Sequence, residues 1–199
     1  MTDKEFFERI KNDVIEDMKS SGILASLTAS QGFIESNRGN SGLTQKANNL
    51  FGMKGTYQGQ SVTMKTKEYV NGKYIVVDAA FRKYPSWKAS IADHSGLFNR
   101  LDRYKNLRGL KDYKLACKYV QQDGYATSPS YADTLIRTIE KYKLYEWDNL
   151  EPEAPDPELD AAINVIAERV IDGKFGFGHD VRKENIYVMV RKRVNEILQ

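Results

Sequence analysis

Val62-Thr-Met-Lys-Thr-Lys-Glu-Tyr-Val70, Asn71-Gly72, Lys73-Tyr-Ile-Val-Val-Asp-Ala-Ala-Phe81: this stretch separates the chain from an all-helical protein. Two runs rich in β-branched and aromatic residues flank Asn-Gly, the dipeptide whose residues both accept positive φ in a two-residue turn. A β-hairpin is expected between Ser61 and Tyr84. On either side the period changes. Phe6, Phe7, Ile10, Val14, Ile15 and Met18 recur at helical spacing over residues 3–19, and Ser20-Ser21-Gly22 ends that helix. A second helix, capped by Ser26 or Thr28, runs through Gln31 and Ile34 to about Ser36. A loop, Asn37-Arg-Gly-Asn-Ser-Gly42, and a short turn near Thr44–Asn49 follow. After Pro85 helices are expected at about 86–105, 111–123 and 128–143, broken by Gly109 and Gly124. The fold class is α+β: mainly helical, with one inserted hairpin.

The 199 residues suffice for one domain of ordinary size and a small appendage. Hydrophobic residues make up 41% and charged residues 29%, a globular composition. The single cysteine, Cys117, excludes an intrachain disulfide and reads as a small buried hydrophobe. Met1 to Lys19 alternates charge with apolar residues instead of forming the apolar run of a signal peptide, and no apolar stretch is long enough to span a membrane. Asp148 to Glu158 holds three of the five prolines and a cluster of acids, the texture of a linker. The expected organisation is a larger front domain over 1–147, a linker over 148–158 and a small helical domain over 159–199. Residues 151–199 carry seven Lys/Arg against ten Asp/Glu, and residues 1–150 carry 23 against 17. A mildly basic front domain suits an anionic partner, but the basic residues form no run or helical stripe, so no nucleic acid is expected.

Glycosidic bond cleavage calls for a carboxylic acid that protonates the leaving oxygen, and often for a second carboxylate across the bond. The acid must hold its proton near neutral pH, so its site has to disfavour the charged form. Glu35 fits: it follows Gly32-Phe-Ile34 at a helix end and precedes a glycine-bearing loop able to open a cleft. Gln31 lies one helical turn before it, placed to orient the acid or simply to finish the helix. His94 and His179, the only histidines, are far apart and lack Cys partners, so no zinc site and no cofactor are expected. No Ser-His-Asp or Cys-His pattern competes.

Leu27-Thr-Ala-Ser-Gln-Gly-Phe-Ile-Glu-Ser36 and Ala47-Asn-Asn-Leu-Phe-Gly-Met-Lys-Gly55 resemble the signature of the glucosaminidase family of peptidoglycan hydrolases (glycoside hydrolase family 73-like). Glu68-Tyr-Val-Asn-Gly-Lys-Tyr74, Phe81-Arg-Lys-Tyr-Pro-Ser-Trp87 and Tyr125-Ala-Thr-Ser-Pro-Ser-Tyr-Ala132 continue the likeness in family order. One such block is within reach of chance; five in sequence over residues 20–145 are specific. The resemblance implies a lysozyme-like fold, Glu35 as the acid, and Glu68 as the second glutamate, base or transition-state stabiliser unless the substrate's acetamido group does that work. It implies cleft tyrosines at Tyr125 and Tyr131, and matches at Asn49 and at Phe51, as much core as cleft wall. Two positions depart from the family: Arg38 where many relatives carry an aromatic residue, and Ser128 where they carry Asp. Arg38 is expected to favour an anionic wall substituent and to lower the pKa of a nearby carboxyl.

Ile166-Ala-Glu-Arg-Val-Ile-Asp-Gly-Lys-Phe-Gly-Phe-Gly178, with Val181-Arg-Lys and Val190-Arg-Lys-Arg-Val-Asn-Glu-Ile-Leu198, resembles one cell-wall-binding repeat of the Cpl-7 type, a three-helix bundle. A unit of about 40 residues is marginal alone, and docking, wall binding or self-association would complete it. The combination is that of a phage or prophage endolysin, an endo-β-N-acetylglucosaminidase made in the cytoplasm and released to the wall through a holin. A muramidase or lytic transglycosylase on the same scaffold, or a wall binder without activity, are the alternatives.

Overall fold

The computed structural model describes residues 1–70 and 73–150, with Ala161 and Val165 beyond them; for Lys67, Glu68, Tyr69, Val70 and Tyr74 it describes the backbone alone. One compact unit spans Met1–Pro152 and a second spans Glu153–Gln199. Apart from Ala161 and Val165, the expected C-terminal domain over 159–199 lies outside the described residues.

Helix α1 (Asp3–Ser21) begins at a capping box, in which the Thr2 hydroxyl accepts from the Glu5 amide while the Glu5 carboxylate accepts from the Thr2 amide. It ends at Gly22, whose φ of 74° is the left-handed conformation that closes helices. Its apolar stripe buries Phe6, Phe7, Ile10, Val14 and Ile15, as the periodicity predicts, and Met18 packs on the edge of the core. Helix α2 (Ala25–Glu35) lies at the centre, with every residue from Ala25 to Gly32 buried. It packs against α1, α5 (Tyr113–Gln122), α6 (Tyr131–Lys141) and the 3-10 turn Leu144–Asn149. A helix buried all round reads as nearly continuous apolar and small residues, and Leu24-Ala-Ser-Leu-Thr-Ala-Ser30 does so.

Neither Ser26 nor Thr28 caps α2. Leu24 occupies the N-cap without a side-chain bond, and the cap comes from far along the chain. Asp148 accepts from the Ser26 amide at 2.8 Å and from the Ser26 hydroxyl at 2.7 Å. A carboxylate there satisfies an orphan donor and meets the positive end of the helix. Asp148, at the expected start of the linker, therefore belongs to the first compact unit.

Strands β1 (Ser61–Val70) and β2 (Lys73–Arg82) pair antiparallel from Ser61–Arg82 to Val70–Lys73, the hairpin predicted around Asn71-Gly72. Its base is tied down on two sides. The Asn49 amide bonds the Met53 and Arg82 carbonyls, and Asp93 on α4 (Trp87–Arg100) receives the Arg82 guanidinium and, at 2.7 Å, the Tyr84 hydroxyl. Short α3 (Gly42–Ala47) sits between α2 and the hairpin, and the stretch expected as one helix over 86–105 breaks at Leu101 into α4 and a 3-10 turn, Asp102–Leu107. Helix α6 starts at Tyr131 and not at 128, after a turn in which the Tyr131 amide bonds the Ser128 carbonyl. Pro129 disfavours helical backbone at Ser128, which accounts for the late start. Among the described residues no helix is long and apolar enough to cross a membrane.

Candidate active site

Glu35 is the last residue of α2, and the chain leaves it through a tight left-handed loop. Asn37, Arg38 and Gly39 have φ of 50°, 60° and 74°. Consecutive non-glycine residues in that region are uncommon and need support from their surroundings. Ser36 provides it: its buried hydroxyl donates to the Gly32 carbonyl at 2.6 Å and accepts from the Gly39 amide at 2.7 Å. Gly39 lies against Trp87, where a Cβ would stand 2.4 Å from the indole, so no other residue fits. The acid is thus mounted on a rigid element whose exit is locked.

Glu35 is solvent-exposed as a residue, yet enough protein lies around its carboxyl to disfavour the charged form. That burial raises its pKa above the ordinary glutamate value, against a hydrogen bond from Tyr131 that acts to lower it. The negative end of the α2 dipole works in the same direction as burial. The Tyr131 hydroxyl donates to Glu35 Oε1 at 2.8 Å and accepts from Gln31 Nε2 at 3.2 Å. Gln31 is fully buried, so the amide, the phenol and the carboxyl form a chain leading from the core to the open acid. Burial pushes the Tyr131 phenol far above its usual range, and it stays protonated at any physiological pH.

Tyr125 stacks on Tyr131, with ring centroids 5.8 Å apart and planes 24° from parallel, and burial raises its phenol as well. Its hydroxyl lies 3.1 Å from His94 Nε2. His94 is fully buried, stacked on Phe51 at 3.8 Å and edge-on to Phe98. Burial drives its pKa down to about 3, so the imidazole is neutral. Weighed from the sequence only as a metal ligand, His94 proves to be part of the site's support. The available signal was a histidine on the same helical face as Ile91 and Phe98, which the apolar stripe of α4 makes a core position.

The structure thus brings Glu35, Tyr131, Gln31 and Tyr125 together and gives Phe51 and Asn49 scaffold contacts. Phe51 is core, 6% exposed beneath the His94 ring. Asn49, 1% exposed, uses its side chain on backbone: Nδ2 donates to Met53 and Arg82, and Oδ1 accepts from the Met53 amide. Glu68 holds a register position opposite Ile75 in the hairpin, and its side chain lies outside what is described. Arg38 does not act on Glu35. Its guanidinium pairs with Asp3 at 2.8 Å and lies over the Phe33 ring, so the expected lowering of the acid's pKa does not arise from it. Ser128 meets Ser130, their hydroxyls 3.1 Å apart, in the turn before α6.

A mainly helical body, a two-stranded lobe and an acid at the end of a central helix define the lysozyme-like class of scaffold. Over residues 11–144 the chain matches the glucosaminidase family, described as mannosyl-glycoprotein endo-beta-N-acetylglucosaminidase, and it belongs to that family. It is 43% identical over 146 residues to the exo-glucosaminidase LytG of Bacillus subtilis, a match covering 71% of this chain and 52% of that protein. To a probable N-acetylmuramidase of Lactococcus lactis it is 36% identical over 151 residues, covering 72% of this chain and 34% of the other. The chain therefore spans about half of the first curated relative and about a third of the second. The crystal structure of the catalytic domain of the autolysin Auto from Listeria monocytogenes aligns with a TM-score of 0.70 at 34% identity, over 74% of this chain and 89% of that one.

Proposed function

We propose that the chain is a peptidoglycan hydrolase, an endo-β-N-acetylglucosaminidase that cuts the glycan strand of the bacterial wall after N-acetylglucosamine. The observation that carries this reading is the setting of Glu35: a solvent-exposed residue at a helix terminus whose carboxyl is bonded by the Tyr131 phenol and has its pKa raised by burial. In the proposed reaction protonated Glu35 gives its proton to the glycosidic oxygen, and the bond from that oxygen to the anomeric carbon breaks. Positive charge developing at the anomeric carbon is met by the Glu68 carboxylate or by the carbonyl of the sugar's own acetamido group. Water then adds at that carbon, and its proton returns Glu35 to the acid form.

The names of the relatives favour a second reading of the bond cut, since one is an exo-glucosaminidase and another a probable N-acetylmuramidase. Mass spectrometry of digested wall separates them. New reducing ends of N-acetylglucosamine on multi-disaccharide fragments are expected; single sugars would indicate exo action, reducing N-acetylmuramic acid a muramidase, and anhydro ends a transglycosylase.

The tail's resemblance to a Cpl-7 repeat supports a finer proposal: residues 159–199 form a wall-binding three-helix domain, and the whole is an endolysin made in the cytoplasm that reaches the wall after holin release. Pull-down of the full chain on purified walls, compared with a chain ending at Pro152, tests the binding role. Equal retention of the two would remove it.

A further inference from the structure

Of two stacked tyrosines, Tyr131 bonds Glu35 and Tyr125 lies close enough to feel its charge, and each meets a fully buried side chain of a different helix: Tyr131 meets Gln31 of α2, Tyr125 meets His94 of α4. For Tyr131 the result is visible. Its oxygen accepts from Gln31 and its proton goes forward to Glu35. For Tyr125 the direction of the bond depends on which imidazole nitrogen carries the single proton of a neutral ring. His94 Nδ1 is buried and has no hydrogen-bond partner among the described residues. A bare nitrogen lone pair tolerates that position better than an N–H would, because orphaned buried N–H groups are rarer and costlier than under-used acceptors.

We infer that His94 is a positioning residue: protonated on Nε2, it donates to the Tyr125 oxygen and thereby turns the phenolic proton outward, making Tyr125 a committed hydrogen-bond donor to a substrate oxygen beside Glu35. The chemistry that would receive this proton is an uncharged carbonyl or hydroxyl oxygen of the sugar bound at the acid, such as an acetamido carbonyl. The opposite tautomer would take the Tyr125 proton inward and leave only a phenol oxygen facing the substrate. Phe51 stacks on the imidazole at 3.8 Å and Phe98 meets it edge-on, which fixes the plane in which Nε2 reaches the Tyr125 hydroxyl. This inference rests on the reading of Tyr125 as a substrate-contacting residue in the proposed hydrolase.

The full chain serves for the test, with initial rates measured on purified cell wall and folding checked by melting temperature. Tyr125→Phe is expected to lower the rate at least ~10-fold, in the manner of a lost preorganised donor. Undiminished activity would instead remove Tyr125 from the site and leave Glu35 chemistry standing. His94→Phe keeps an aromatic stack but has no donor, and should lose a comparable factor; His94→Gln, whose amide reaches the Nε2 position, should recover most of it. The pair His94→Phe with Tyr125→Phe should be no slower than Tyr125→Phe alone. Full activity in His94→Phe, or losses that multiply in the double variant, would overturn the inference. Should His94→Phe fail to fold, nitrogen NMR of the labelled wild-type imidazole decides directly: a protonated Nε2 with bare Nδ1 is expected, and the reverse tautomer would end the proposal.

Discussion

Tyr131 exerts a pull on Glu35 whose direction can be worked out. A hydrogen bond donated to the carboxyl favours its charged form, so it opposes the burial that raises the pKa. Tyr131→Phe removes the opposition, and the Glu35 pKa rises further. A general acid works while protonated, so the alkaline limb of the rate profile on cell wall should move to higher pH in this variant; a shift to lower pH would contradict the assignment. Asn49 predicts the reverse kind of outcome. Its side chain bonds three backbone groups at the base of the hairpin; Asn49→Ala takes this partner from the Met53 amide and the Arg82 carbonyl, while the Met53 carbonyl keeps the Arg82 amide. The expected loss is about 3 kcal/mol of stability in urea titration, with activity per folded molecule much less affected. Loss of activity at unchanged stability would return Asn49 to the substrate-binding candidates.

Helix α2 has a carboxyl group at each end, Asp148 from the 3-10 turn and its own Glu35, and the dipole acts on them in opposite senses. At the N-terminus Asp148 meets the positive end of the dipole and fills orphan donors, while at the C-terminus the dipole adds to the pressure on Glu35 to stay protonated. Asp148→Ala should therefore lower stability by about 1–2 kcal/mol, the usual worth of a cap, read as a drop in the urea midpoint with unchanged slope. An unaltered midpoint would mean that the Ser26 contacts contribute nothing. Helix α4 is the second organiser. Adjacent residues grip different parts of the site, Asp93 the hairpin base through Arg82 and Tyr84, and His94 the Tyr125 hydroxyl. Burial would raise the Asp93 carboxyl, but the Tyr84 hydroxyl and the Arg82 and Arg100 guanidiniums hold it below the usual range and keep the clamp charged.

At the scale of the whole molecule, buried titratable groups tie stability to pH in opposite directions. Asp17, 9% exposed on α1, accepts from Ser95 and Ser21, and burial raises its pKa from 3.8 to about 6; Asp13 on the same helix is also raised to about 6. Between pH 3.8 and 6 the folded state binds more protons at these groups than the unfolded state, so their cost to stability fades as pH falls through that window. His94, lowered from 6.5 to about 3, does the opposite, and its cost grows as pH falls below 6.5. Asp17→Asn keeps an acceptor without the charge. Its melting temperature should exceed wild type by several degrees at pH 8, and the gap should close toward pH 4; a gap independent of pH would refute the burial account.

The parts of this architecture that were legible in sequence are those set by local period and local turn chemistry. The α1 stripe, the hairpin around Asn71-Gly72 and Glu35 at a helix end all depend on residues close in the chain. The parts that were not legible depend on partners far away. Asp148 caps a helix 122 residues earlier, which no spacing rule reveals, and the composition around it reads as linker. His94 matters through Tyr125 and Phe51, and a lone histidine in a helix carries no sign of either. Asn49 sits in a motif that resemblance marks without saying whether its task is chemistry or scaffold.

The most direct measurement is the clearing of purified cell walls by Glu35→Gln, a replacement that keeps the size of the side chain and removes its transferable proton. The account predicts a rate lower by about 10²–10⁴-fold in a protein whose melting temperature matches or exceeds wild type. Clearing at close to the wild-type rate by a folded variant would contradict it.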